Sequence, residues 1–124
     1  MTDTYDRGLE TRRAVLGDAH VDRALARTTA LTADFQDLLT RYCWGEVWTR
    51  PGLDRRTRSC VTLAALVALG HPEELALHLR GARRNGLTDN EIKEVILHSA
   101  IYCGVPAANA AFRVAQEVLA EETE

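Results

Sequence analysis

The run Cys60-Val61-Thr62-Leu63-Ala64-Ala65-Leu66-Val67-Ala68-Leu69 constrains the fold more than any other part of the chain. As a helix it is apolar on nearly every side, which predicts a central position in the structure. Its mainly apolar part, Val61 to Leu69, is far too short to span a bilayer. Asp54 is placed to cap the start of this helix and Gly70 to end it. Helical periodicity recurs from about residue 20 to residue 120 with no alternating strand pattern, so the expected class is all-α. At 124 residues the chain suits one domain, a bundle of about six helices, and an active site must be built from that core or shared between copies.

Glycine and proline punctuate the pattern. Residues 1–17, rich in charge and including Arg12 and Arg13, form an N-terminal arm or short helix, and 18–122 is the helical domain. Helices are predicted at about 19–31 and 33–48, the latter stopped by Arg50-Pro51-Gly52, before the apolar helix. A fourth opens at Pro72 and stops at Asn85-Gly86. The capping box Thr88-Asp89-Asn90-Glu91 opens a fifth, running to about Cys103. Gly104 and Pro106 then break the chain before a sixth from Ala107 to about Glu121, whose alanines permit close helix contact; an acidic tail, Glu121 to Glu124, follows.

The charge balance narrows the function. A net charge of −3 with scattered basic residues offers no arm or stripe for a phosphate backbone, so no nucleic-acid partner is expected. The polar start MTDTYDRGLE lacks an apolar signal core, and no membrane partner is expected; the reading is cytoplasmic. Cys43, Cys60 and Cys103 are odd in number and widely spaced with no C-x-x-C, which argues against a disulfide framework, a zinc site and a dithiol centre. They are expected to pack as small apolar groups.

Three groups of residues can carry chemistry. In His71-Pro72-Glu73-Glu74-Leu75-Ala76-Leu77-His78, a helix starting near Pro72 faces Glu74 and His78 the same way, with His71 just before the first turn. A carboxylate beside an imidazole favours its charged form and fixes its tautomer, as a general acid near neutral pH requires. The same residues are also ordinary helix-start chemistry, and as metal ligands they lack the usual His pair, so no metal is expected. The second group is Glu94, His98 and Tyr102, four apart on the fifth helix at the edge of the face made by Ile92, Val95, Ile96 and Cys103. There His98 is either a hydrogen-bonded core residue or a catalyst, and Tyr102 either anchors a turn or meets substrate. The third is Arg55, Arg56 and Arg58 in the first turn of the apolar helix, where cations oppose the macrodipole; they imply an anionic partner or are simply solvated.

Read together, these residues resemble the carboxymuconolactone decarboxylase family, which has the AhpD-like fold. The match runs from about Tyr5 to Leu119. It is carried by Arg58-Ser59, Pro72-Glu73-Glu74-Leu75 with His78, Arg84-Asn85-Gly86, Glu91-Ile92-Lys93-Glu94-Val95 with His98, and Tyr102-Cys103-Gly104-Val105-Pro106-Ala107-Ala108. Trp44-Gly45 with Trp48, and Arg7-Gly8 with Arg12-Arg13 and Val15-Leu16-Gly17, resemble the decarboxylase branch. The peroxidase branch carries a C-x-x-C where this chain has His71 and Glu74, which argues against thiol peroxidase chemistry.

The resemblance implies decarboxylation of 4-carboxymuconolactone to 3-oxoadipate enol-lactone plus CO2, in the protocatechuate branch of the β-ketoadipate pathway. No cofactor is expected, because the unsaturated lactone is its own electron sink. The implied assembly is a homo-oligomer, a trimer or hexamer, acting on a small lactone dicarboxylate. The catalytic candidates are His78 oriented by Glu74, with His98 as the alternative acid, and the substrate-binding candidates are Arg58, His71, Tyr102 and Trp44. Their roles could be permuted. Two rival readings remain: a related decarboxylase or isomerase acting on another lactone or β-keto acid, and a non-catalytic oligomeric helical protein.

Overall fold

The structure, a computed structural model, describes residues 3–121; the rest of the acidic tail, 122–124, lies outside the described residues. Among the described residues there are seven α-helices and no strand: α1 (Thr4–Leu16), α2 (Asp18–Ala26), α3 (Ala33–Leu38), α4 (Arg55–Leu69), α5 (Pro72–Arg84), α6 (Asp89–Cys103) and α7 (Val105–Leu119). The all-α expectation holds, with the N-terminal arm a full helix. Contacts divide the chain after Asp54 into two compact units.

In the first unit, α3 runs on as a π-helix over Leu39–Val47. Thr40 donates its hydroxyl to the Gln36 carbonyl at 2.7 Å, and Trp48 N–H reaches the Cys43 carbonyl at 2.9 Å. Side-chain donors of this kind satisfy carbonyls where the ladder changes pitch. Helix α1 lies against the π-helix at two glycines: a Cβ on Gly8 would stand 2.0 Å from the Thr40 carbonyl oxygen, and one on Gly45 2.5 Å from that of Thr4. Arg12 is buried in this contact and donates to Gln36 Oε1 at 3.1 Å and Thr40 Oγ1 at 3.4 Å. Burial raises the pKa of the half-buried Cys43 thiol, against a smaller opposing effect of Arg12, which keeps it in the protonated, unreactive form.

The helix expected at 19–31 stops at Ala26. Thr28 turns its hydroxyl back to the Ala24 carbonyl, and Thr32 Oγ1 accepts from Thr29 N–H, so threonine side chains take over the backbone groups that a continuing helix would use.

In the second unit, Leu63 and Val67 of α4, Leu75, Leu79 and Ala82 of α5, Ile92 and Ile96 of α6, and Ala108, Ala111, Ala115 and Val118 of α7 form the core. Small residues on α7 let it lie close to α5 and α6. Pro72 occupies the first turn of α5, and the Thr88–Glu91 capping box closes in both directions at 3.0 and 2.9 Å. Helix α7 begins at Val105, two residues earlier than expected, because Gly104 at φ +94° redirects the chain and Pro106 fits the first turn, where no N–H is needed. The expectation that α4 is central requires correction. It buries one row, Ser59, Leu63 and Val67, and leaves Val61 and Leu69 exposed.

Arg83 ties three helices by donating to both carboxylate oxygens of Asp89, at 2.9 and 2.8 Å, and to the Leu119 carbonyl at 2.9 Å. The paired guanidinium lowers the Asp89 pKa. A carboxylate with a depressed folded pKa stabilises the fold above its unfolded pKa, and that contribution disappears as pH falls through the folded value. Asp89→Asn should therefore lower Tm at pH 7 by a small amount, since Asp89 is exposed and solvent screens the pair. The difference from the parent should shrink below about pH 4, the ordinary aspartate range. Melting curves from pH 3 to 7 check this, and an undiminished difference at pH 3 would refute it.

Candidate functional site

The elbow between α4 and α5 organises the candidate site. Gly70 at φ +71° lets the N–H groups of Gly70 and His71 both reach the Leu66 carbonyl, at 3.0 and 3.2 Å, which ends α4 and reverses the chain. Leu75 N–H then bonds the His71 carbonyl at 2.9 Å, so α5 starts with His71 at its cap position. Steps of three and four residues put His71, Glu74, His78, Gly81 and Asn85 on one row of α5. The far end of that row faces α4, because Asn85 Nδ2 donates to Ser59 Oγ at 2.8 Å. At the near end His71 joins Leu66, Val67, Leu75, Ala111 and Val114 around an apolar pocket of about 220 Å³.

Along this row Glu74 is exposed and His78 half-buried. The four-residue step puts both on one face of α5. Glu73 and Glu74 both sit in the first turn, where a carboxylate is favoured by the helix dipole. Helices α4 and α5 run antiparallel, with Ser59 level with Asn85 and Val67 near Leu75. By the rise per residue, Arg58 stands roughly 10 Å along the axis from the level of His78.

The basic cluster of the apolar helix separates by role. Arg56 donates to the Gly86 carbonyl and to the Glu91 carboxylate, so it braces the α5–α6 turn and the capping box. Arg58 is half-buried one turn into the helix. On α6 the rings of His98 and Tyr102 are 5.3 Å apart and tilted by 44°, and both side chains are exposed. His98 is thus no core residue, and Tyr102 stands out from the turn that follows it. Trp44 belongs to the other unit, where it is buried and stacked on Trp48 at 4.9 Å. Among the described residues no three His, Cys, Asp or Glu side chains are grouped to hold a metal ion.

Sequence reasoning passed over two features of this region. Asn85 reads as a helix stop, yet its amide also fixes the start of α4 through Ser59; Asn rather than Gly before Gly86 was the available signal. The apolar pocket draws one wall from Ala107, Ala110 and Ala111, which read only as a close-packing run.

Comparison with known proteins supplies an independent line. A sequence profile described as the carboxymuconolactone decarboxylase family matches residues 33–117. The chain is 53% identical over 114 residues, 92% of its length and 85% of the relative's, to 4-carboxymuconolactone decarboxylase of Acinetobacter baylyi. It is 44% identical over 115 residues, 93% of its length and 80% of the relative's, to nitrosuccinic acid decarboxylase of Metarhizium robertsii. A Pseudomonas putida protein named 4-carboxymuconolactone decarboxylase is 50% identical over 42 residues, 34% of this chain and 88% of that relative.

Proposed function

The chain belongs to the carboxymuconolactone decarboxylase family, and we propose that it decarboxylates 4-carboxymuconolactone to 3-oxoadipate enol-lactone and CO2. The observation that carries this reading is the 53% identity, over 92% of the chain, to a decarboxylase of that name.

The chemistry needs little from the protein beyond placement and a proton. The departing carboxylate sits on the γ-carbon of an unsaturated lactone. When its C–C bond breaks, the electron pair flows through the ring double bond into the lactone carbonyl, giving a furan-like dienolate. Protonation at the lactone α-carbon then forms the enol-lactone. In this reading Arg58 holds a substrate carboxylate, and His78, oriented by Glu74, stabilises the dienolate or delivers the proton. His98 is the alternative acid. His71, Tyr102 and Trp44 are assigned to substrate contact, and His71 is supported by its place at the apolar pocket, which suits a leaving group that turns from carboxylate into uncharged CO2.

Because the substrate holds the negative charge itself, turnover needs no added metal, flavin, pyridoxal phosphate or thiamine diphosphate. Purified protein given synthetic 4-carboxymuconolactone should release one CO2 per lactone at a rate unchanged by a chelator. A rate abolished by the chelator and restored by one metal would overturn the cofactor-free reading. A second reading, a related decarboxylase acting on another acid, is favoured by the 44% identity to nitrosuccinic acid decarboxylase. Turnover of nitrosuccinate with none of the lactone would select it.

The protein is further assigned to the cytoplasm; among the described residues no helix is long and apolar enough to cross a membrane. It works as a homo-oligomer, a trimer or hexamer. Exposed Val61, Leu69, Ile101 and Val105 support subunit packing, since monomers rarely expose large apolar patches.

A further inference from the structure

His78 and Arg58 stand on different helices, so the distance between them depends on how α5 lies against α4. The two helices share a core made by Leu63 and Val67 of α4 with Leu75 and Leu79 of α5. Apolar contact of this kind carries no direction, and it resists sliding and rotation less sharply than a hydrogen bond does. At one end the chain itself sets the register, since the Gly70 and His71 N–H groups both bond the Leu66 carbonyl. At the other end stands Asn85. His78 lies midway, seven residues from His71 and seven from Asn85.

Asn85 Nδ2 donates to Ser59 Oγ at 2.8 Å and stands 3.5 Å from the Arg55 carbonyl oxygen. Ser59 is only 3% exposed, so water competes little for this bond, and losing it leaves a buried hydroxyl without its donor. The backbone aims the amide. Asn85 N–H bonds the Gly81 carbonyl at 2.9 Å, which keeps its Cβ on the helical row, and Gly86 at φ +98° turns the chain away directly afterwards. Arg56 of α4 holds the Gly86 carbonyl, so both residues of the turn are tied to the first turns of α4. A helix stop alone requires neither tie.

We propose that Asn85 is a positioning residue for the decarboxylation: its bond to Ser59 fixes the register of α5 against α4, and with it the place of His78 relative to Arg58. Ser59 is next to Arg58 in the chain, so the tie acts one residue from the carboxylate clamp. This inference rests on the reading of His78 as proton donor and Arg58 as clamp.

The test is kinetics on the acid that the parent turns over, lactone or nitrosuccinate, with amide hydrogen exchange beside it. Asn85→Ala and Ser59→Ala should each lower kcat about tenfold to a hundredfold, within the loss that a shift of about 1 Å can cause. KM should stay near the parent value, because the substrate moves with Arg58 and the distance to His78 is what changes. The double variant should be no worse than either single, since both remove one bond. Backbone amides in the first two turns of α4 should exchange severalfold faster in both variants, a readout that needs no turnover. In a His78→Ala background, Asn85→Ala should cost no further rate, because no imidazole is left to place, whereas a merely structural loss would persist there. Parent-like kcat in both single variants overturns the inference, as does unchanged exchange. So does a loss of rate that persists undiminished in the His78→Ala background. A parent-like rate in His78→Ala itself is a separate result: it overturns the reading of the site in a protein whose Asn85 is intact.

Discussion

His78→Ala is expected to lower kcat/KM for the lactone by roughly two to four orders of magnitude, the scale of a lost general acid. The imidazole sits half-buried on the α5 row between the apolar pocket at His71 and the α4 contact at Asn85. A proton donor in that position can face a substrate held at one end by Arg58. Glu74→Gln should lose nearly as much, because a neutral amide neither fixes the working tautomer nor stabilises the imidazolium. The carboxylate is exposed and unpaired among the described residues, so it is free to turn to His78 when substrate arrives. The double mutant should be little worse than His78→Ala alone, since residues acting as a unit are not additive. Arg58→Ala should act mainly through KM if it holds its carboxylate equally in ground and transition states. Steady-state kinetics on folded, correctly assembled variants decide the matter. Parent-like rates in both His78→Ala and Glu74→Gln would reduce the row to helix-start chemistry and move the search for the acid to His98.

Some of this architecture is legible because its causes are local. Pro72, the Thr88–Glu91 capping box and Gly104 act on backbone groups within one turn, and the structure places helix boundaries at each of them. The shared face of Glu74 and His78 is equally local, a consequence of helical pitch alone. What periodicity does not report is which apolar positions are covered. The run from Cys60 to Leu69 looks the same on all sides, and only the placement of α5, α6 and α7 decides that Leu63 and Val67 are buried while Val61 and Leu69 are not. Arg56 shows the same limit for charge. Its position in a basic cluster suggests an anion from outside, yet its partners are the Gly86 carbonyl and Glu91, thirty and thirty-five residues away. Over 33–48 the sequence reads as an ordinary helix, and nothing in its local pattern marks the shift from four- to five-residue hydrogen bonding over Leu39–Val47.

Gly8→Ala is the substitution expected to damage the fold most. In sequence this glycine enters only as part of Arg7-Gly8 in the family resemblance, and at an ordinary helix position Ala would be the more stable residue. In the structure its missing side chain is the reason α1 can lie against the π-helix. An added Cβ would stand 2.0 Å from the Thr40 carbonyl oxygen, 2.9 Å from the Gly45 nitrogen and 3.0 Å from the Thr40 carbonyl carbon. All three are backbone atoms, so no side-chain rotation relieves the overlap and the helices must separate by more than an ångström. Arg12 lies one turn further along the same face of α1, and its bonds to Gln36 and Thr40, at 3.1 and 3.4 Å, would lengthen with the gap. A buried guanidinium that loses its partners adds a desolvation cost to the steric one. The sum should reach about 3 kcal/mol or more, the upper part of the range for overpacked contacts. At about 4 °C per kcal/mol for a domain of this size, Tm should fall by at least about 12 °C. Gly52→Ala is the control: a Cβ there meets nothing within 4 Å, and the change should shift Tm by no more than a few degrees. Thermal melts followed by circular dichroism compare the three proteins, and a Gly8→Ala variant melting with the parent would refute the close approach of α1 to the π-helix.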